Sequence, residues 1–145
     1  MIALIQRVTQ ARVDRDGETI SAIGPGILAL VGVVPSDTQA NAKRLLERIL
    51  GYRLFADAKG RMNLSLTDTK GDLLLVPQFT LAADTRQGMR PGFSTAAPPD
   101  VGKALFDRLC EAAQAAWPTT KSGVFGADMQ VSLVNDGPVT FWIEG

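Results

Sequence analysis

Apolar and polar positions along this chain follow two periods, and the switches between them mark its elements. Ile2 to Val13 alternates loosely and is rich in β-branched residues, the period-two pattern of a half-buried strand. Asp16-Gly17 is a hairpin turn signal, so Glu18 to Ile23 is expected to return as a partner strand. Gly24-Pro25-Gly26 breaks the chain before Ile27 to Val34, a continuous apolar run that predicts a strand covered on both faces. The period then lengthens. Ser36-Asp37 followed by Gln39 reads as a capped helix start, and Ala42, Leu45, Leu46 and Ile49 form one apolar stripe with Gly51 as the stop.

Short elements follow. Tyr52 to Phe55 predicts a strand, Asp57 to Gly60 a turn, Arg61 to Leu66 an alternating segment, Thr67 to Asp72 a polar loop, and Leu73 to Phe79 another strand. Thr80 to Pro99 has neither period. A loop this long in a compact domain is functional or disordered, and Arg86, Arg90 and Phe93 favour function. A second helix is expected from near Asp100, with a stripe of Val101, Ala104, Leu105, Leu109, Ala112 and Ala116 and a stop at Trp117-Pro118. The remainder reads as strands over Ser122 to Phe125, Met129 to Val134 and Val139 to Ile143, with a turn at Asn135 to Pro138. This order has no βαβ alternation, repeat or linker. It predicts a mixed α/β single domain over residues 1–145, a mixed sheet with two helices on one side.

Composition narrows the chemistry. Among the 145 residues there is no histidine and Cys110 is the sole cysteine, which excludes internal disulfides, Cys/His zinc sites and every Ser-His or Cys-His pair. Catalysis must rest on carboxylates, lysine, hydroxyls, backbone amides or the substrate's own groups. Cys110, mid-helix with no activating base, reads as a packing residue. The formal net charge is zero, so any contact with nucleic acid should be local and modest. No export signal or membrane span is recognisable, making the cytosol the expected compartment.

Three segments can carry chemistry. At Pro77-Gln78-Phe79-Thr80-Leu81 a buried strand meets the long loop, and side chains there are anchored yet accessible. Thr80 offers a hydroxyl and Gln78 an amide, although an apolar strand end with polar neighbours is the plainer reading. Asn135-Asp136-Gly137-Pro138-Val139-Thr140 is a tight turn, plainly read as a hairpin connection. In Gly123 to Met129, glycines flank Phe125, which can stack on a base; Phe125 and Met129 can equally be core. Arg86 and Arg90 suit phosphate or simple solvation.

Taken in order, the blocks Ile5-Gln6-Arg7-Val8, Met62-Asn63-Leu64-Ser65, Gln78-Phe79-Thr80-Leu81, Ala83-Asp84-Thr85-Arg86, Gly88, Arg90-Pro91, Gly123 to Met129 and Ser132 to Thr140 resemble the D-aminoacyl-tRNA deacylase family, also called D-tyrosyl-tRNA deacylase, from end to end. The resemblance implies that family's barrel-like sandwich of mixed and antiparallel sheets and an enzyme that cleaves the ester of D-aminoacyl-tRNA. It implies a homodimer in which Gly137-Pro138, with a cis bond, enters the partner subunit's pocket. Gln78, Phe79 and Thr80 would line that pocket, Arg7 would steady the Gly-Pro turn, and Phe125 and Met129 would lie near the terminal adenosine of tRNA. Neither cofactor nor metal is implied. One departure stands out: Pro77 occupies the place where the family commonly has serine, and proline offers neither hydroxyl nor N–H.

Two routes to ester cleavage fit these residues. Thr80 can attack as a nucleophile, a poor one without a neighbouring base. Alternatively the adjacent ribose hydroxyl assists water, while the protein positions the ester and backbone amides of Phe79 and Thr80 face the developing oxyanion. The missing histidine agrees with the second. Chirality would follow from a rigid main-chain turn that excludes an L side chain, admits many D-amino acids and lets glycine through. Rival readings are an RNA-binding module without catalysis, an interaction protein using the long loop, and a hydrolase of small D-amino-acid esters.

Overall fold

Strand β1 (Ile2–Arg15) organises the molecule because it is long enough to be paired along both edges. On one edge its first half pairs with β3 (Gly26–Gly32), from Ile2 opposite Gly32 to Val8 opposite Gly26, and its second half with β2 (Glu18–Ile23). Along its other edge runs β8 (Gln130–Glu144), antiparallel from Ile2 opposite Glu144 to Asp14 opposite Gln130. Beyond β3 the sheet continues in parallel through β6 (Asp72–Pro77) and β7 (Lys121–Ser122). The sheet curls until its ends approach, and the Ser21 hydroxyl on β2 donates to the Ser122 carbonyl on β7 at 2.6 Å. This nearly closed, barrel-like sheet fills the computed structural model, which describes Met1–Gly145.

The alternating patterns sort the strands' side chains onto two faces. Ala3, Ile5, Ile27, Ala29, Val31, Leu73 and Leu75 pack under the helices, while Val8, Ala11, Val13, Ile23, Leu28, Leu74 and Val76 fill the concave side. Helix α1 (Gln39–Gly51) buries the expected stripe of Ala42, Leu45, Leu46 and Ile49. Its cap differs from expectation. Thr38 is the N-cap, and its N–H donates to the Asn41 side chain at 2.9 Å. Asp37 is engaged elsewhere, accepting from Val34 N–H at 2.7 Å and pairing with the Met1 amino group.

After α1 in the chain, β4 (Phe55–Ala56) and β5 (Met62–Leu64) form a small ribbon. The segment expected as a polar loop opens instead with a one-turn helix, α2 (Leu66–Thr69), because the Asp68 carboxylate accepts from Ser65 N–H at 2.8 Å and the Ser65 side chain caps the turn. The last helix, α3 (Pro99–Ala116), lies where expected but is rotated. Val101, Ala104, Ala112 and Ala116 are exposed, and Gly102, Phe106, Leu109 and Ala113 are buried. Alanine fits either face of a helix, so the orientation is decided by Phe106 and by Gly102, where an added Cβ would lie 3.3 Å from the Phe125 ring. Both long helices cover the same side of the sheet. No helix is long and apolar enough to cross a membrane.

Other expectations change too, beginning with the strand expected over Tyr52 to Phe55, which forms only at Phe55–Ala56. The strand predicted to reach Phe79 stops at Pro77, and the segment predicted to run from Ser122 to Phe125 is ordered as strand only at Lys121–Ser122. At the C-terminal end, Asn135 to Pro138 does not connect a hairpin. The residues on either side both pair with β1, so the segment is an excursion within one strand.

Candidate active site

Parallel pairing between β3 and β6 ends with Val31 opposite Pro77. One more bond, from Gln78 N–H to the Val31 carbonyl at 2.7 Å, anchors the next residue. The chain then tightens into a 3-10 turn, Phe79–Ala82, with Leu81 N–H on the Gln78 carbonyl at 3.2 Å. Gly32 makes this turn possible at close range, since a Cβ there would meet Leu81 Cβ at 3.1 Å and the Gln78 carbonyl at 3.3 Å. As the opening residues of the turn, Phe79 and Thr80 have amides without intrahelical partners.

Opposite this lip, Gly123 to Met129 folds back from β7. Gly123 is buried, and its backbone comes so near Met129 that an added Cβ would lie 3.0 Å from the Met129 sulfur and 3.4 Å from Pro77 Cδ. The glycines therefore serve a close internal approach and, at Gly126 with φ +75°, a turn. Phe125 is half-buried, 6.3 Å from the Phe106 ring, so it is both a core partner of α3 and a wall residue. The cleft between the two segments has a volume of about 410 Å³; Val76 and Val131 line it together with Pro77, Gln78, Phe79, Phe125 and Met129, and Ala97 and Pro99 complete the rim. Asp128 is the one ionisable residue in that lining. Sequence reasoning missed it, and missed Gly32, although Asp128 sits inside a block singled out for its aromatic residue.

Thr80 is exposed at the edge of the cleft rather than in its lining. Its hydroxyl oxygen accepts from Gln78 Nε2 at 2.5 Å. An amide N–H aimed at a hydroxyl cannot remove its proton, and no carboxylate or lysine bonds to this side chain. The geometry orients Thr80 without activating it.

A second assembly lies elsewhere. Around Gly137 the β8 strand bulges away from β1, leaving Asn135 opposite Val8 and Thr140 opposite Gln6. The Gly137–Pro138 peptide bond is cis, and Gly137 has φ +144°. A Cβ at Gly137 would collide with Val139 Cγ2 at 2.6 Å. Asn135 braces the excursion from within, accepting from Val139 N–H at 2.6 Å and donating to Thr140 Oγ1 at 3.0 Å. Arg7 braces it from β1, with Nε donating to the Asp136 carbonyl and Nη1 to the Leu54 carbonyl, both at 2.8 Å. Gly137 and Pro138 are exposed and do not line the cleft. Within one chain, then, the fold brings Gln78 and Phe79 to Phe125 and Met129, with Thr80 at the edge. It brings Arg7 to the Gly137-Pro138 turn, and it keeps the two groups apart.

This arrangement has known counterparts. The family model described as D-Tyr-tRNA(Tyr) deacylase matches residues 4–144. The chain belongs to that family. A D-aminoacyl-tRNA deacylase of Thioalkalivibrio sulfidiphilus is 67% identical over 144 residues, covering 99% of this chain and 97% of that protein. Its counterpart in Ectopseudomonas mendocina is 60% identical over 144 residues, covering 99% of each chain. Among solved structures, the c-Myc DNA Unwinding Element Binding Protein superposes with a TM-score of 0.95 at 38% identity, covering 100% of this chain and 99% of its own. A probable eukaryotic D-amino acid tRNA deacylase, at 18% identity and a TM-score of 0.86, shares the fold; the match covers 99% of this chain and 98% of its own.

The remaining ionisable groups of this family member lie outside the cleft chemistry. Burial pushes the Cys110 thiol up to about 12, outweighing its contact with Ser122, so the thiolate is suppressed at neutral pH. Asp84 is held well below the usual carboxylate range by hydrogen bonds from the Arg86 guanidinium and backbone. No group of three or more His, Cys, Asp or Glu side chains gathers that could hold a metal ion.

Proposed function

We propose that this protein hydrolyses the ester between a D-amino acid and the terminal ribose of tRNA, and that it works in the cytoplasm, where charged tRNA is used. The observation that carries this reading is the cleft itself: an apolar slot sized for a nucleoside, edged by a hydroxyl with no base beside it, in a member of the D-Tyr-tRNA(Tyr) deacylase family. Phe125 and Met129 take the terminal adenosine, the ring stacking and the thioether filling the irregular remainder. The ester then lies along Gln78, Phe79 and Thr80.

The chemistry follows from what the cleft lacks. Water attacks the ester carbonyl carbon with the neighbouring ribose hydroxyl assisting its deprotonation. The bond from carbonyl carbon to ribose oxygen breaks, and that oxygen receives the proton. The amides of Phe79 and Thr80 donate to the oxyanion formed on the way. Gln78 positions the Thr80 hydroxyl, which touches substrate without forming a covalent bond.

Selection of the mirror image falls to Gly137-Pro138 of a second subunit. The braced, exposed turn suits insertion into a neighbouring cleft, and Trp142, half-exposed farther along β8, offers apolar surface for such a dimer. A main chain pinned by Arg7 and Asn135 leaves no space for an L side chain, whereas a D side chain points away and glycine has nothing to exclude. The deciding experiment is deacylation of paired D- and L-aminoacyl-tRNAs, with glycyl-tRNA as a third substrate. Cleavage of D and glycyl but not L is expected. Equal cleavage of D and L, or retention of tRNA without cleavage, would overturn the reading.

A further inference from the structure

The arm between Ala83 and Pro98 has no task in the reaction just described, yet it is built rather than loose. Asp84 and Gly92 exchange backbone hydrogen bonds in both directions, at 2.8 and 2.9 Å, closing the intervening residues into a loop with a defined base. That base is tied to the cleft. The Phe93 ring packs 5.2 Å from Phe79, the Thr95 hydroxyl donates to the Ala82 carbonyl at 2.5 Å, and Ala97 N–H donates to the Val33 carbonyl at 2.9 Å. Ala97 itself lines the cleft.

Charge on the arm is one-sided. Arg86 folds back onto Asp84, with Nε and Nη2 each 2.8 Å from its carboxylate, so this pair is spent on shaping the loop. No acidic residue occurs from Thr85 to Pro99. Arg90 is exposed and has no hydrogen-bond or ionic partner within the chain, beside Met89, which is 100% exposed. A fully solvated thioether next to an unpaired guanidinium, in a protein of zero net charge, is a local cationic and apolar tip on an arm whose base adjoins the cleft.

We propose that Arg90 and Met89 form a second contact for tRNA, gripping the phosphate and sugar of the acceptor strand just beyond the terminal aminoacyl-adenosine. The inference rests on the deacylase reading, which puts that adenosine in the cleft and obliges the rest of the strand to leave across its rim. A guanidinium fits a phosphate with paired N–H donors, and a flexible thioether packs on sugar or base without demanding a sequence. Reach sets the register. From Asp84 to Gly88 the chain spans at most about 13–14 Å, which brings the tip to the first phosphates and no farther along the tRNA.

The test compares two substrates, D-aminoacyl-tRNA and 3′-O-D-aminoacyl-adenosine, which carries the ester but no phosphate. Arg90→Ala should lower kcat/KM on the tRNA by about fivefold, chiefly through KM. It should also flatten the slope of log kcat/KM against log salt by about 0.7, the contribution of one phosphate on a single strand. Cleavage of the aminoacyl-adenosine should be unchanged. Arg90→Lys should restore most of the loss, because a point charge still meets a phosphate, and Met89→Ala should raise KM by about twofold. Equal losses on both substrates would show a structural role for the arm and overturn the proposal, as would unaltered tRNA kinetics with an unaltered salt slope. If the unsubstituted enzyme cleaves neither substrate, the deacylase reading falls by itself. Binding of uncharged tRNA then decides the arm: weakening in Arg90→Glu sustains it, and equal binding ends it.

Discussion

Between Pro77 and Ala83 the chain leaves a strand with little polar support from side chains, whereas between Asn135 and Thr140 it leaves and rejoins one inside a mesh of hydrogen bonds. The lip at Gln78 to Thr80 is held by main-chain hydrogen bonds of Gln78, Leu81 and Ala83, by the packing of Leu81 over Gly32, and by a single side-chain contact between Gln78 and Thr80. The bulge at Gly137 uses a guanidinium on two carbonyls and an asparagine that both accepts and donates. The difference matches what the proposed function asks of each. A lip that receives a substrate must leave donors unsatisfied until the substrate supplies acceptors. A turn that excludes by shape must not yield when pressed, and Arg7 and Asn135 already hold this one from both sides.

Experiments that break one side of this contrast should leave the other intact. The largest effect is expected from the substrate: replacing the terminal ribose of D-aminoacyl-tRNA with its 2′-deoxy form should slow single-turnover cleavage by about a hundredfold or more, the usual worth of a lost proton-transfer group. Next comes the brace. Asn135→Ala removes the acceptor of Val139 N–H and leaves that group unpartnered, which should lower the ratio of D to L cleavage by about tenfold to a hundredfold and stability by about 1–3 kcal/mol. Parallel assays on both enantiomers, with urea unfolding, measure the two terms; selectivity preserved at full stability would show that the brace is dispensable.

Arg7→Lys is subtler. An ammonium cannot bridge the Asp136 and Leu54 carbonyls together, so selectivity should fall by about threefold to tenfold while binding of the tRNA end, measured by KM, stays constant. The smallest effect belongs to the lip: Thr80→Ala should reduce kcat by about threefold or less, the worth of a modest positioning bond. A loss in Thr80→Ala exceeding that of the 2′-deoxy substrate would reverse the assignment and make the hydroxyl a nucleophile. Cys110→Ala, outside both regions and with its thiolate suppressed by burial, serves as the control and should leave kcat/KM within about twofold.

Local rules reached β1, β2, β3 and α1 because period and stripe there are carried by large, unambiguous side chains such as Leu45, Leu46 and Ile49. They placed α3 and its Leu105 and Leu109 but failed on the rest of its buried face, where alanines tolerate any side and the deciding contact, Gly102 against Phe125, joins residues far apart in sequence. They failed again at Asn135 to Pro138. Turn chemistry there suggests a hairpin, and only the pairing of both flanks with β1, more than a hundred residues earlier, shows an excursion within a single strand. The site was legible in pieces. Gln78 to Thr80 and Gly123 to Met129 each stood out by composition and by resemblance, but their meeting across one cleft depends on β6 and β7 lying side by side. Gly32 carried no local signal beyond ending an apolar run, since its function is to be small beneath a turn nearly fifty residues away.

That β8 closes the second edge of β1 has a bearing on how the protein is made. The ribosome delivers β1 more than a hundred residues before β8, so until β8 emerges the founding strand carries a bare row of amides and carbonyls along one side. Arg7 likewise waits for the Asp136 carbonyl until β8 is made. Assembly of the Gly137-Pro138 turn is thus deferred until both strands are present, and the nascent chain has its greatest need of shielding in the interval between them.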